Sequence, residues 1–190
     1  MELGFDSTLP WVRRPKGKAY ESQYLKPSFK SGRSTVGVWG AISTDLKGKL
    51  VILSANARMN SELYTNVILN GPGYNLYEEL THTKGIAIWQ DDGARYHTSK
   101  AVTKWRNSMK MDRMEWPAQS PDLNPIKNLW RIIKLRISKR RHRIHSIQEL
   151  EVIIQEEWDK LSVEDYQKCI KSMHKCCLDV IRVRGGSTKY

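Results

Sequence analysis

Gly85-Ile86-Ala87-Ile88-Trp89-Gln90-Asp91-Asp92-Gly93 and Ser120-Pro121-Asp122-Leu123-Asn124-Pro125-Ile126-Lys127-Asn128-Leu129-Trp130 bracket the stretch that decides the fold. The first is a short apolar run ending in two carboxylates, with the length and flanks of a buried central strand. The second reads as a loop delivering the start of a helix. Asn124 precedes a proline, which biases it away from helical geometry and suits it to an N-cap. Pro125 then fits the first helical position. Ligand sites in open α/β sheets gather at the carboxyl ends of strands. A strand ending in acids, followed by a polar helix start, therefore points to a metal or phosphate site. Successive strand residues face opposite ways, so only one of Asp91 and Asp92 points into a given site. Gly93 beside them permits a tight turn. A lone Asp-Asp-Gly is more often a surface turn, and Lys127 breaks the local rule. A first helical turn favours Glu or Asp, which complete a capping box and meet the positive end of the helix dipole.

Working outward, residues 34–43 are β-branched and aromatic and predict a strand. A turn over 44–48 and a second strand over 49–53 complete an antiparallel hairpin. Residues 60–69 predict a helix with Leu63, Val67 and Leu69 inward, broken at Asn70-Gly71-Pro72-Gly73, with a second helical piece over 74–79. Thr98 or Ser99 caps a helix running through Trp105, and 111–116 is a short strand ended by Pro117. Ile126, Leu129, Trp130, Ile133 and Ile137 lie on one helical face. Ser146 with Glu149 forms a capping box for a helix on Leu150, Ile154, Trp158 and Leu161. Ser162 with Asp165 caps one further helix carrying Tyr166, Ile170, Met173, Cys177 and Ile181, stopped by Gly185-Gly186. Trp105, Trp130 and Trp158 read as core. This order predicts a mixed α/β domain with a helical tail.

The 190 residues are 27% charged and 39% hydrophobic, which fits a globular domain with a real core. A net charge of +12 points to a polyanionic partner, nucleic acid first. The three cysteines, Cys169, Cys176 and Cys177, lie near one end without Cys-x-x-Cys spacing. They read as core thiols of a reducing compartment rather than a disulfide framework or zinc site. No apolar run is long enough for a membrane span, and the start lacks the pattern of a signal peptide. The expected location is intracellular.

Trp89-Gln90-Asp91-Asp92-Gly93-Ala94-Arg95-Tyr96-His97-Thr98-Ser99 resembles the second-aspartate motif of Tc/mariner superfamily DDE transposases. Trp116-Pro117-Ala118-Gln119-Ser120-Pro121-Asp122-Leu123-Asn124-Pro125-Ile126-Lys127-Asn128-Leu129-Trp130 is similar to that family's third-acid motif. Trp39-Gly40 and the basic segment from Trp11 to Tyr20 also look like this family, so the likeness covers most of residues 3–135. It implies an RNase H-like mixed sheet with flanking helices, and a triad of acids holding two Mg²⁺ (or Mn²⁺) ions that cleave and join DNA phosphodiesters. Counting back from His97 as the family motif does, the second acid matches Asp92. The third belongs 34 intervening residues later, at Lys127. Gly93 replaces the family's Asn. The first acid belongs on a strand just upstream of the segment that Leu3-Gly4-Phe5 resembles; Asp6 lies too late to be it. The helix-turn-helix region that precedes the catalytic domain in the family has no counterpart here.

The resulting expectation has three parts. Residues 1–34 form a basic arm or hairpin, 35–145 the transposase core with its first strand missing, and 146–190 a helical extension. Of the catalytic positions only Asp92 keeps its acid and remains a metal ligand, so strand cleavage is expected to be lost. DNA contact is expected from Arg13, Arg14 and Lys16 along a phosphate backbone, although an ordinary solvated hairpin is as good a reading of that arm. It is also expected from Arg95 and His97 beside Asp92, His97 being equally suited to a cap or turn. Lys134, Arg136, Lys139, Arg140, Arg141 and Arg143 crowd one helix end, beyond what the helix dipole needs. They read as phosphate contacts or a nuclear-import signal. Competing expectations are an enzyme with rebuilt acids, recruiting Asp91, Glu115 or Asp122, and an interaction module pairing with itself or intact transposase copies through its helical tail.

Overall fold

The structure, a computed structural model, describes residues 2–4, 35–54, 57–117, 120 and 123–185, the first three by their backbone alone. Arg13, Arg14, Lys16, Trp11 and Asp122 lie outside the described residues. β-Branched and apolar residues build a small antiparallel sheet in the order β1 (Glu2–Gly4), β2 (Thr35–Trp39), β3 (Val51–Ile52). The expected hairpin is present. Trp39 pairs with Val51, Ile42 bridges Lys47, and Ser43 closes the turn through Leu46 N–H and C=O. On the other edge Glu2 faces Gly37 and Gly4 faces Thr35.

Alternation along these strands feeds two cores, one on each face. Val36, Val38 and Ile52 face the first, with α4 (Pro125–Lys139), α5 (Ile147–Asp159) and α6 (Val163–Lys171). Trp39 and Val51 face the second, with Tyr64, Ile68, Leu69, Tyr77, Val102 and Met111. The helices beyond residue 146 share the first core. Trp158 is fully buried there, stacks on Trp130 with ring centres 5.2 Å apart and donates from Nε1 to the Gly48 carbonyl at 3.1 Å. Lys47 reaches the same helix end. Its ammonium donates to the carbonyls of Trp158, Asp159 and Leu161 at 2.6, 2.9 and 3.1 Å, a cation on the negative pole of α5.

The caps lie where local chemistry puts them. Asn60 caps α1 (Ser61–Leu63), Ser99 caps α3 (Lys100–Ser108) and Asn124 caps α4. Ser146–Glu149 and Ser162–Asp165 are full capping boxes. Five expectations are corrected, the first being residues 111–116, which carry only the Arg113 bridge to Trp89 in place of the expected strand. The helix after Asn60 widens into a π turn over Tyr64–Leu69, which swings Tyr64 and Ile68 inward and leaves Val67 exposed. The piece expected over 74–79 is a longer helix, α2 (Pro72–Lys84), with proline in its first turn and Gly85 in the left-handed region at its end.

The last helix is two. Ser172 separates α6 from α7 (Met173–Arg182), its hydroxyl bonding back to the Cys169 carbonyl at 2.7 Å. Cys169 and Cys176, seven residues apart, lie on the buried face, whereas Cys177, Leu178 and Ile181 are exposed. Finally, residues 85–89 are not a buried strand. Only Trp89 is paired, in a parallel bridge to Arg113, and Ile86 and Ile88 are 68% and 54% exposed. No helix among the described residues is long and apolar enough to cross a membrane.

Gly40 lies flat against the Trp158 ring, so a Cβ there would sit 2.5 Å from Cη2. Gly40→Ala should destabilise the fold by about 2 kcal/mol in urea unfolding. The cost should shrink in a Trp158→Phe background, since the two residues are in contact.

Candidate active site

Trp89 sets the position of the two acids. Its N–H donates to the Asp112 carbonyl and its own carbonyl accepts from Met114 N–H, both at 2.8 Å. Its ring stacks on Trp39 with centres 6.2 Å apart. From this anchor the chain delivers Asp91 and Asp92 to different partners. Asp91 is 6% exposed, and a buried carboxylate needs compensation. It accepts from Arg106 Nη2, from Arg113 Nε at 2.8 Å and from the Tyr64 hydroxyl at 3.5 Å. Burial and the neighbouring Asp91 charge both hold the Tyr64 phenol well above its ordinary range. Arg106 also donates to the His97 carbonyl at 2.9 Å, so one guanidinium ties α3 to both ends of the 91–97 loop.

Sequence reading missed Arg106, Arg113 and Tyr64. One signal was present: Arg106 lies four residues after Val102, on the face of α3 that must be buried.

Asp92 is half-buried and faces α4. Its Oδ1 accepts from Ala94 N–H at 3.3 Å. Lys127, in the first turn of α4, brings Nζ to 3.2 Å from Oδ2. The cation that the helix N-terminus disfavours is thus matched by a carboxylate across the cleft. Burial pushes the Asp92 carboxyl up, but Lys127, His97 and the Ala94 amide outweigh it and hold the group below the usual range.

His97 is 6% exposed and lies between the acids, with Nδ1 and Nε2 each 3.4 Å from a carboxylate oxygen of Asp91 and Asp92. Its ring meets Tyr64 edge-on at 4.5 Å. Burial lowers its pKa to about 4 despite both carboxylates, so it is neutral at pH 7.

This set does not fit a divalent ion. Both oxygens of Asp92 are engaged and an ammonium stands against one of them. Asp91 is held by two guanidiniums. Among the described residues, no three His, Cys, Asp or Glu side chains are grouped to hold a metal. Glu115, proposed as a substitute acid, is exposed and belongs to no such group.

The basic residues divide in two. Arg136 pairs with Asp165 at 2.8 Å, and Arg140 with Glu156 at 2.6 Å and Glu157 at 2.7 Å. These fasten α4 to α6 and α5. Arg141 is partly buried, which lowers its pKa. Arg95, Lys134, Lys139 and Arg143 are exposed and available to a polyanion.

Residues 76–151 match the family model of the DDE superfamily endonucleases. The chain is 31% identical over 189 residues to the Tc1 transposase of Caenorhabditis elegans, covering 95% of this chain and 63% of that protein. It is 29% identical over 184 residues to the Tcb1 transposase of Caenorhabditis briggsae, covering 96% and 64%. The chain therefore spans less than two thirds of the length of these relatives. In structure it is similar to the catalytic domain of the Mos1 mariner transposase, with a TM-score of 0.69 at 17% identity, covering 82% of this chain and 76% of that one. A pre-cleavage Mos1 transpososome matches with a TM-score of 0.75 at 15% identity, over 100% and 55%. The expected RNase H-like α/β fold is the one observed.

Because His97 is buried neutral, the unfolded chain takes up its proton near pH 6.5 and the folded chain only near pH 4. Stability present above pH 6.5 is therefore lost as pH falls. Urea unfolding should show a loss of about 2 kcal/mol from pH 7 to pH 5, absent in His97→Asn.

Proposed function

The chain carries a DDE endonuclease domain of Tc/mariner transposase kind, and we propose that it is a DNA-binding remnant of such an enzyme, no longer competent to cut. The observation that carries this reading is the Lys127 ammonium 3.2 Å from Asp92, at the position where the family resemblance calls for an acid. Enzymes of this family depend on divalent metal. Two such ions about 4 Å apart need several carboxylates to offset their mutual repulsion. Here a cation already neutralises the one acid that faces the cleft, and Asp91 is committed to Arg106 and Arg113. Strand cleavage and joining therefore lack their charge-balancing groups.

Binding has a separate basis. A formal charge of +12 and the exposed Arg95, Lys134, Lys139 and Arg143 supply the sequence-independent attraction to phosphates. We infer a nuclear location on the same ground, since a DNA-binding remnant acts where chromosomal DNA is. A second reading has one observation in its favour: Leu178 and Ile181 of α7 and Val183 just after it are exposed. That suits a module pairing with itself or with intact transposase copies.

Purified protein supplied with Mg²⁺ or Mn²⁺ should leave supercoiled plasmid intact; nicking that Asp92→Ala abolishes would overturn the inactive reading. On duplex DNA, affinity should fall steeply with salt. Replacing Lys134, Lys139 and Arg143 together by alanine should flatten the log–log slope by about 3, at roughly 0.9 per phosphate contact. Absent or salt-insensitive binding favours the pairing module.

A further inference from the structure

From Gly93 to Met111 the chain carries five Lys and Arg residues, Arg95, Lys100, Lys104, Arg106 and Lys110, and no Asp or Glu. Arg106 is spent on Asp91 and the His97 carbonyl. The other four are exposed, and among the described residues none of them has an ion pair. Three of these stand where local rules disfavour them. Lys100 opens α3, in a first turn whose dipole favours an acid. Lys104 follows four residues later, so two like charges share one face. Lys110 has φ 51°, in the left-handed region that glycine occupies at least cost. Broken local rules concentrate at functional sites.

Helical geometry sorts α3 into two sides. Val102 and Arg106 are buried, against the second core and the acid loop. Lys100, Thr103, Lys104 and Asn107 fall at i, i+3, i+4 and i+7 and are all exposed, forming one outer stripe. The two lysines stand about 6 Å apart along the axis. Thr103 and Asn107 place a hydroxyl and an amide beside them. Because Arg106 grips the 91–97 loop from the inner side, the stripe is fixed next to the two acids.

The stripe selects its partner by what it lacks. It has no large apolar side chain, which the centre of a protein–protein contact needs. It has no aromatic ring on which unpaired bases could stack. Cations interleaved with neutral hydrogen-bonding groups match the phosphate backbone of a duplex. Its place in the fold is also distinct. α3 packs on the second core and α4 on the first, so the stripe is separate from the exposed cations at the end of α4.

We propose that the outer face of α3 is a contact surface for duplex DNA, with Lys100 and Lys104 on neighbouring phosphates of one strand. Thr103 and Asn107 donate to the same backbone, and Arg95 and Lys110 extend the surface past both ends of the helix. This rests on the reading of the chain as a DNA-binding protein and adds a second surface, on the layer that holds Asp91. It is independent of whether Lys127 silences the acids.

The test is a salt titration of binding to a short labelled duplex of arbitrary sequence, followed by fluorescence anisotropy. Lys100→Ala with Lys104→Ala should flatten the log–log slope by about 1.8, two contacts at roughly 0.9 each, with the melting temperature unchanged. Lys100→Arg with Lys104→Arg should keep the slope, since the charge remains. Removing two charges elsewhere, at the exposed Lys168 and Lys171 of α6, should also leave it unchanged. Combined with alanine at Lys134, Lys139 and Arg143, the losses should add. An unchanged slope in the α3 variant overturns the proposal, and the DNA-binding reading stands if the α4 variant still flattens it. Equal flattening by the α6 variant, which is bulk charge alone, also overturns it, as does tighter binding of a thymidine oligonucleotide than of the duplex. No binding by the unaltered chain removes both readings.

Discussion

The fold hangs on the contact between Trp158 and the β2–β3 hairpin. An indole laid on Gly40, hydrogen-bonded to the Gly48 carbonyl and stacked on Trp130, joins strands, α4 and α5 in one packing unit. Lys47 reinforces the same junction by capping the carbonyl end of α5. The hairpin alone is too short to be stable in water. It persists because a large side chain more than a hundred residues later fills the space that a glycine leaves open.

On the other face of the sheet the constraint is electrostatic. Asp91 is buried with its charge, and such a group is tolerated only where cations and donors surround it. Arg106, Arg113 and Tyr64 meet that demand. In doing so they pin the 91–97 loop and leave Asp92 as the acid that faces α4. The partner Asp92 meets is Lys127, an ion that is part of the chain. Both carboxylates of the cleft are therefore matched by cations of the chain itself, and Arg95, Lys134, Lys139 and Arg143 remain exposed.

Much of this was legible in the residues, and the legible parts were local. N-caps at Asn60, Ser99, Asn124, Ser146 and Ser162 depend on a side chain reaching an N–H two or three residues away. The expected divergence of Asp91 and Asp92 is observed, although neither lies in a strand. The misreadings share a different cause. Residues 85–89 have a strand's composition, but a strand is made by its neighbours, and only one residue here has one. The buried face after Asn60 was misassigned because a π turn shifts the phase that an uninterrupted 3.6-residue period assumes, and the last helices bury Cys169 and Cys176 in place of Cys177 and Ile181.

By itself the sequence determined the motifs that carry the family resemblance, the helix starts and a lysine in a first helical turn that favours an acid, all set by residue type at short spacing. Tertiary structure alone decided which aspartate is buried and which meets Lys127. It also decided that His97 is neutral and enclosed rather than exposed to a ligand, and that Arg136 and Arg140 brace helices while Lys134 and Lys139 do not. Those outcomes depend on desolvation and on charges brought together from distant segments, neither of which has a counterpart in spacing along the chain.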